Sequence, residues 1–167
     1  MLYLDYPDNS DICSVIVKTI VLDSIYSTRI RKKDLPFVVQ HIVDNHEKID
    51  KLINTGKREY DLYKLIAFIP TEGVNNIYSF TSKYLSFINP ELYPIMDSYS
   101  RKLLKEYHEN YPDIIPKIKG ENNYESFCMA FDEFHKKVKE ITKYEFSAKE
   151  TDMFIWQYAK EYFSEEG

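Results

Sequence analysis

An all-α fold is predicted by three features of the sequence. Apolar residues recur at three- and four-residue spacing along almost the whole chain, no segment sustains the alternation of a half-buried strand, and the breaks between stripes carry helix caps and prolines. About eight helices result. In the first, Ile12, Val15, Ile16, Thr19 and Ile20 share a face, with Asn9 or Ser10 placed as its cap. Asp34 and Pro36 ahead of Val38, Val39, Ile42 and Val43 read as a second start, because a carboxylate accepts orphan amides and proline is tolerated in a first turn. A short third helix is expected to end at Gly56. Residues 60–69 keep Leu62, Leu65, Ile66 and Ile69 on one side before Pro70 stops them. Ile77, Phe80, Tyr84, Leu85, Phe87 and Ile88 form the next stripe, closed by Asn89-Pro90. An extended connection over 90–96 leads to Asp97 or Ser98, the cap of a helix with Leu103, Leu104 and Tyr107. Pro112, Pro116 and Gly120 mark a loop. Tyr124, Phe127, Cys128, Phe131, Phe134, Val138 and Ile141 make a long aromatic-faced helix. Finally, Ser147-Ala148-Lys149-Glu150 is a capping box opening a helix with Phe154, Ile155, Trp156, Tyr158 and Tyr162.

A chain of 167 residues, 44% apolar and 29% charged, has the size and balance of one globular domain. A single domain over 1–167 is expected, with a larger lobe at about 10–110 and a two-helix layer at about 122–163. The most apolar stretch, 12–25, is interrupted by Lys18 and Asp23, so no membrane span is expected. The start lacks the basic head and apolar run of a secretory signal, which points to a cytoplasmic protein. Cys13 and Cys128 both sit in helical apolar patterns and read as reduced, buried thiols.

The net charge of −5 is unevenly spread. Residues 1–119 hold 16 basic and 16 acidic side chains, whereas the last 48 hold 6 and 11. Such a chain does not attract phosphates over its whole surface, so nucleic acid would need a local patch. Two exist: Arg29, Arg31, Lys32 and Lys33, and Arg101, Lys102 and Lys105. Either serves equally as a solvated helix face. The acidic C-terminal region suits a protein partner.

Searches for other chemistry return little. The four glycines form no phosphate-cradling loop. His41, His46, His108 and His135 show no ligand spacing, and neither cysteine has a local histidine, so no metal or cofactor is expected. What stands out is the segment from Tyr78 to Arg101. Lys83 falls at the border of the buried stripe, where aromatic rings would partly desolvate its ammonium, lower its pKa and free a nucleophilic amine. Fourteen residues on, Asp97 heads a helix whose positive end would keep it ionised. On residue pattern alone the ordinary roles come first, since so generic a spacing does not by itself argue function. A lysine at an apolar edge snorkels to water, and an aspartate before a helix is an N-cap.

The spacing from Lys83 to Asp97 resembles the helix-hairpin-helix DNA glycosylase superfamily (HhH-GPD), in particular the bifunctional glycosylase/lyases of oxidised purines such as 8-oxoguanine. Pro94-Ile95-Met96-Asp97-Ser98-Tyr99-Ser100-Arg101 is similar to that family's Pro-x-Asp-[Thr/Ser]-x-x-x-Arg motif, with one extra residue before the aspartate. Residues 22–30, 78–84 and 154–160 are similar to a branch of uncharacterised bacterial proteins of that fold. The family's Leu-Pro-Gly-Val-Gly hairpin is replaced by Pro70-Thr71-Glu72-Gly73-Val74-Asn75-Asn76, and the lysine-to-aspartate interval is shorter. The resemblance implies a DNA glycosylase-like fold and an enzyme of DNA repair. Lys83 would attack the sugar C1′ and Asp97 would stabilise the developing positive charge. Tyr26, Phe80 or Tyr84 would stack on an extruded base, and Arg29, Arg31, Arg101 and Lys102 would contact the phosphates of damaged duplex DNA. Two other classes stay open: a helical protein-interaction or defence-operon protein keeping that fold without catalysis, and a sugar- or nucleotide-binding relic without turnover.

Overall fold

The computed structural model describes Tyr6, residues 8–28 and residues 30–164. Among them are eight α-helices and no strand, as the apolar periodicity requires. Long-range contacts group the chain into two units, Met1–Asn89 and Pro90–Gly167.

The first unit holds α1 (Ile12–Tyr26), α2 (Leu35–Asp44), α3 (His46–Ile53), α4 (Tyr60–Ala67) and α5 (Tyr78–Ile88). Helix α1 packs on α2 and α5, and α4 packs on α3 and α5. The core between them is built from Val15, Leu22, Val38, Ile42, Ile49, Leu62, Ile66, Phe80 and Leu85, all at most 1% exposed. The cap of α1 is Asp11, whose carboxylate accepts from the Ser14 amide (2.7 Å), instead of Asn9 or Ser10. Asn9 is drawn into the interior, and Ser10 donates to Asp8. Asp34 precedes α2 as expected but makes no side-chain cap, because Arg31 claims its carboxylate at 2.5 Å. Helix α4 ends at Ala67, two residues before the expected point. Ile69 precedes Pro70, where helical backbone is disfavoured, and Phe68 is already extended. The chain then turns at Gly73, in the left-handed region (φ 76°), and the Ile77 amide donates back to the Ala67 carbonyl (3.0 Å). Helix, turn and helix are thereby fastened together.

The second unit holds α6 (Ser98–Asn110), α7 (Tyr124–Thr142) and α8 (Ala148–Ser164). Helix α6 packs on both α7 and α8. Its core includes Leu103, Leu104, Phe127, Phe131, Ile155 and Ala159. The 111–122 loop, which the sequence reading placed between two lobes, falls inside this unit. His108 shares a hydrogen bond with the Ile115 carbonyl (2.7 Å), and Ile115 and Ile118 are buried. The capping box before α8 forms as expected: the Ser147 amide donates to Glu150 (2.8 Å) and the Glu150 amide to the Ser147 hydroxyl (3.1 Å).

Of the two thiols, Cys128 is buried and Cys13 is exposed. The first helix is apolar on nearly every side, so its periodicity did not reveal which face turns inward. Val15, Thr19 and Leu22 do so, leaving Ile12, Cys13, Ile16 and Ile20 outside.

Candidate functional site

Lys83 sits in the middle of α5, where seven consecutive residues, 80–86, are buried. It is 4% exposed and does not snorkel to water. Its ammonium donates to the Ser79 hydroxyl one turn earlier (2.8 Å) and lies 5.8 Å from the centre of the Tyr26 ring at the end of α1. Tyr26 in turn meets Phe87 edge to face at 5.8 Å. A cation held against an aromatic face in a nearly dry setting is stabilised by the ring quadrupole and loses most of its hydration.

The three aromatic residues proposed from the sequence to meet a base are not alike. Phe80 and Tyr84 are 0% and 1% exposed and pack on each other at 5.5 Å as core residues. Tyr26 is half-buried and next to the Lys83 ammonium.

Asp97 belongs to the second unit, at the head of α6. Its carboxylate accepts from the Ser100 amide (2.8 Å), and the Ser100 hydroxyl accepts from the Asp97 amide (3.1 Å), a reciprocal capping box. The chain leading to it, 93–96, is buried throughout. That segment is tied down from two helices: the Tyr124 hydroxyl of α7 donates to the Pro94 carbonyl (2.8 Å), and Asp152 of α8 accepts from the Ile95 amide (3.1 Å).

The basic residues read as phosphate contacts are largely engaged inside their own units. Arg31 pairs with Asp34 and donates to the Gly73 carbonyl (2.6 Å), bracing the turn before α5. Arg101 donates to the Glu121 carbonyl, and the Lys102 ammonium lies 3.5 Å from the centre of the Phe163 ring. Arg29 lies outside the described residues.

Two charged groups that the sequence reading did not single out are buried. Lys18 of α1 is 2% exposed and donates to the Asn9 side-chain oxygen (2.6 Å) and the Asp8 carbonyl (3.0 Å). Burial pushes its ammonium down to about 8, against the upward pull of the Asp50, Asp8 and Asp11 carboxylates. Asn9 completes the cluster, donating to Asp50 (2.6 Å) and accepting from the Tyr84 hydroxyl (2.5 Å). Asp152 is the second. Burial pushes its carboxyl up to about 7, while Lys149 and the Ile95 amide favour the charged form. Lys18 carried one signal, its place among Val15, Thr19 and Leu22. Asp152 carried one too, lying one turn before the buried Ile155.

Among the described residues no group of His, Cys, Asp or Glu is placed to hold a metal ion, and no helix is long and apolar enough to cross a membrane. No solved structure is significantly similar to the chain. A protein of Haemophilus influenzae strain Rd, described as uncharacterised, is 27% identical over 157 residues, covering 93% of this chain and 71% of its own length. Residues 1–92 match the HI_0787_N N-terminal domain, and this match ends within three residues of the boundary of the first unit at Asn89. More than half of the sequence, including the helix that carries Lys83, therefore lies within one domain type, and the chain belongs to the HI_0787_N family.

Proposed function

We propose that the chain is a DNA glycosylase/lyase that removes a damaged base, an oxidised purine, through a covalent intermediate on Lys83. One observation carries this reading: the Lys83 amine is nearly dry, resting on the Ser79 hydroxyl and the Tyr26 ring. An amine so placed is shielded from bulk water beside an aromatic face, the kind of setting in which a lysine serves as a nucleophile.

The deprotonated Lys83 nitrogen attacks C1′ of an extruded nucleotide. The C1′–N bond to the base breaks, and the base leaves with its electron pair and a proton released by the attacking amine. The resemblance assigns to Asp97 the balancing of the positive charge that develops on the sugar. Opening of the ring leaves an imine between Lys83 and C1′, from which loss of a C2′ proton expels the 3′ phosphate. Tyr26 is the residue to stack on the extruded base, because Phe80 and Tyr84 are enclosed.

A second reading is a non-enzymatic interaction protein. It is favoured by Met153, Phe154, Trp156 and Tyr158, which α8 exposes to solvent. Borohydride trapping separates the two. Incubation with abasic-site and 8-oxoguanine duplexes in the presence of borohydride yields a covalent protein–DNA adduct with the natural chain and none with Lys83→Gln. Absence of an adduct across a panel of damaged duplexes overturns the enzymatic reading in favour of the second.

A further inference from the structure

We infer that Asp152 is the positioning residue for Asp97, holding the capping carboxylate in place through the Ile95 peptide and Ser100. The connection is continuous. Asp152 accepts from the Ile95 amide (3.1 Å). The carbonyl of the same residue accepts from the Ser100 hydroxyl (3.1 Å), and Ser100 forms the reciprocal pair with Asp97. Both polar groups of Ile95 are thus committed, one to α8 and one to α6. Every member of this path except Asp97 is buried. In a low-dielectric setting such hydrogen bonds are short of alternatives, so a change at one end is passed on instead of being absorbed by water.

The connection is also fastened upstream. Glu91 accepts from the Ala148 amide at the start of α8 (2.9 Å), so residues 91 and 95 are both tied to this helix. A structural carboxylate would be served by an exposed cap like that one. A carboxylate 5% exposed, aimed at a single peptide two residues before Asp97, costs more to bury and places that peptide more tightly. Its protonation is the natural variable. The charged groups acting on it are Lys149 on its own helix and Asp97 at the head of α6. His135 of α7 meets the neighbouring Thr151 hydroxyl (2.7 Å), and burial holds that imidazole below its ordinary 6.5. Removing the proton from Asp152 strengthens its hold on the Ile95 amide and adds a negative charge near Asp97.

The consequence for catalysis rests on the glycosylase/lyase reading; the positioning does not. The test follows the backbone amides of the full chain by nuclear magnetic resonance as pH is varied. In the natural protein the Ile95 and Ser100 amides move together in one step near pH 7. In Asp152→Asn, which keeps an acceptor but no titrating group, both steps vanish. In Asp152→Ala the first-turn amides of α6 lose hydrogen-exchange protection by about tenfold or more, while those in the middle of α7 keep theirs. Should the Ala variant not fold, the Asn variant and the natural titration decide alone. A Ser100 amide that stays still while Ile95 titrates, or that titrates equally in Asp152→Asn, overturns the inference. Adduct yield under borohydride, measured over the same pH range, shows a step near pH 7 in the natural protein that Asp152→Asn lacks. If no variant forms an adduct, the enzymatic reading fails and the amide shifts still decide the positioning.

Discussion

The Tyr84 hydroxyl donates to the side-chain oxygen of Asn9 at 2.5 Å, joining residues 75 positions apart. Lys18 donates to the same oxygen, and Asn9 passes its own amide hydrogen to Asp50. Four side chains from α1, α3, α5 and the segment before α1 therefore share one polar cluster, of which Asn9, Lys18 and Tyr84 are buried. The cluster ties α1 to α5, the two helices that also carry Tyr26 and Lys83.

Tyr84→Phe removes one donor to Asn9 without leaving a cavity. We expect a loss of about 1 kcal/mol in unfolding free energy, measured by urea denaturation. Asn9→Leu, which removes an acceptor from both the Lys18 ammonium and the Tyr84 hydroxyl and the donor to Asp50, should lose more, about 3 kcal/mol. Equal losses for the two variants would show that Asn9 is not the hub.

The depressed Lys18 gives stability a defined pH dependence. The folded chain binds its proton less tightly than the unfolded chain, with values of about 8 and 10.5. Between them the unfolded state holds more protons, so this residue makes stability rise with pH in that window and contributes no slope below it. Comparing urea midpoints of the natural protein and Lys18→Met from pH 7 to 10 isolates the effect. The natural protein should gain on the variant as pH climbs past 8.

Asp152 acts with the opposite sign. Its folded value of about 7 lies above the ordinary 3.8, so the folded state holds the extra proton between these limits. Stability from this group is full below pH 4 and is lost as pH rises toward 7. Asp152→Asn should abolish that decline and be more stable than the natural protein at pH 8, by on the order of 2 kcal/mol. A calorimetric series from pH 4.5 to 8 checks both statements.

The two thiols should separate cleanly. Cys13 reacts with a water-soluble thiol reagent in the folded protein, whereas Cys128, buried in α7, reacts only on unfolding. Mass spectrometry after a short exposure should find one modified residue, Cys13.

Phosphate contact by Arg101 and Lys102 requires each to leave its present partner, the Glu121 carbonyl and the Phe163 ring. Lys102→Ala should weaken duplex binding modestly, reduce the slope of log affinity against log salt by about 1, and leave lesion preference unchanged. Fluorescence anisotropy at several salt concentrations measures the slope. An unaltered slope removes Lys102 from the DNA contacts.

Helix positions, most boundaries and the caps at Asp97 and Ser147 were legible in the sequence, because the interactions that create them span three or four residues. The same local reading singled out Lys83 at the edge of a stripe. Tertiary packing alone decided that this edge is closed over by Tyr26, that Lys18 and Asp152 are buried with polar partners, and that Phe154, Trp156 and Tyr158 are not. Periodicity records that a helix has an apolar face. It does not record which distant segment covers that face, and on α1 and α8, where apolar residues stand on more than one side, the covering segment chose the face and with it the ionisable groups that lose their water.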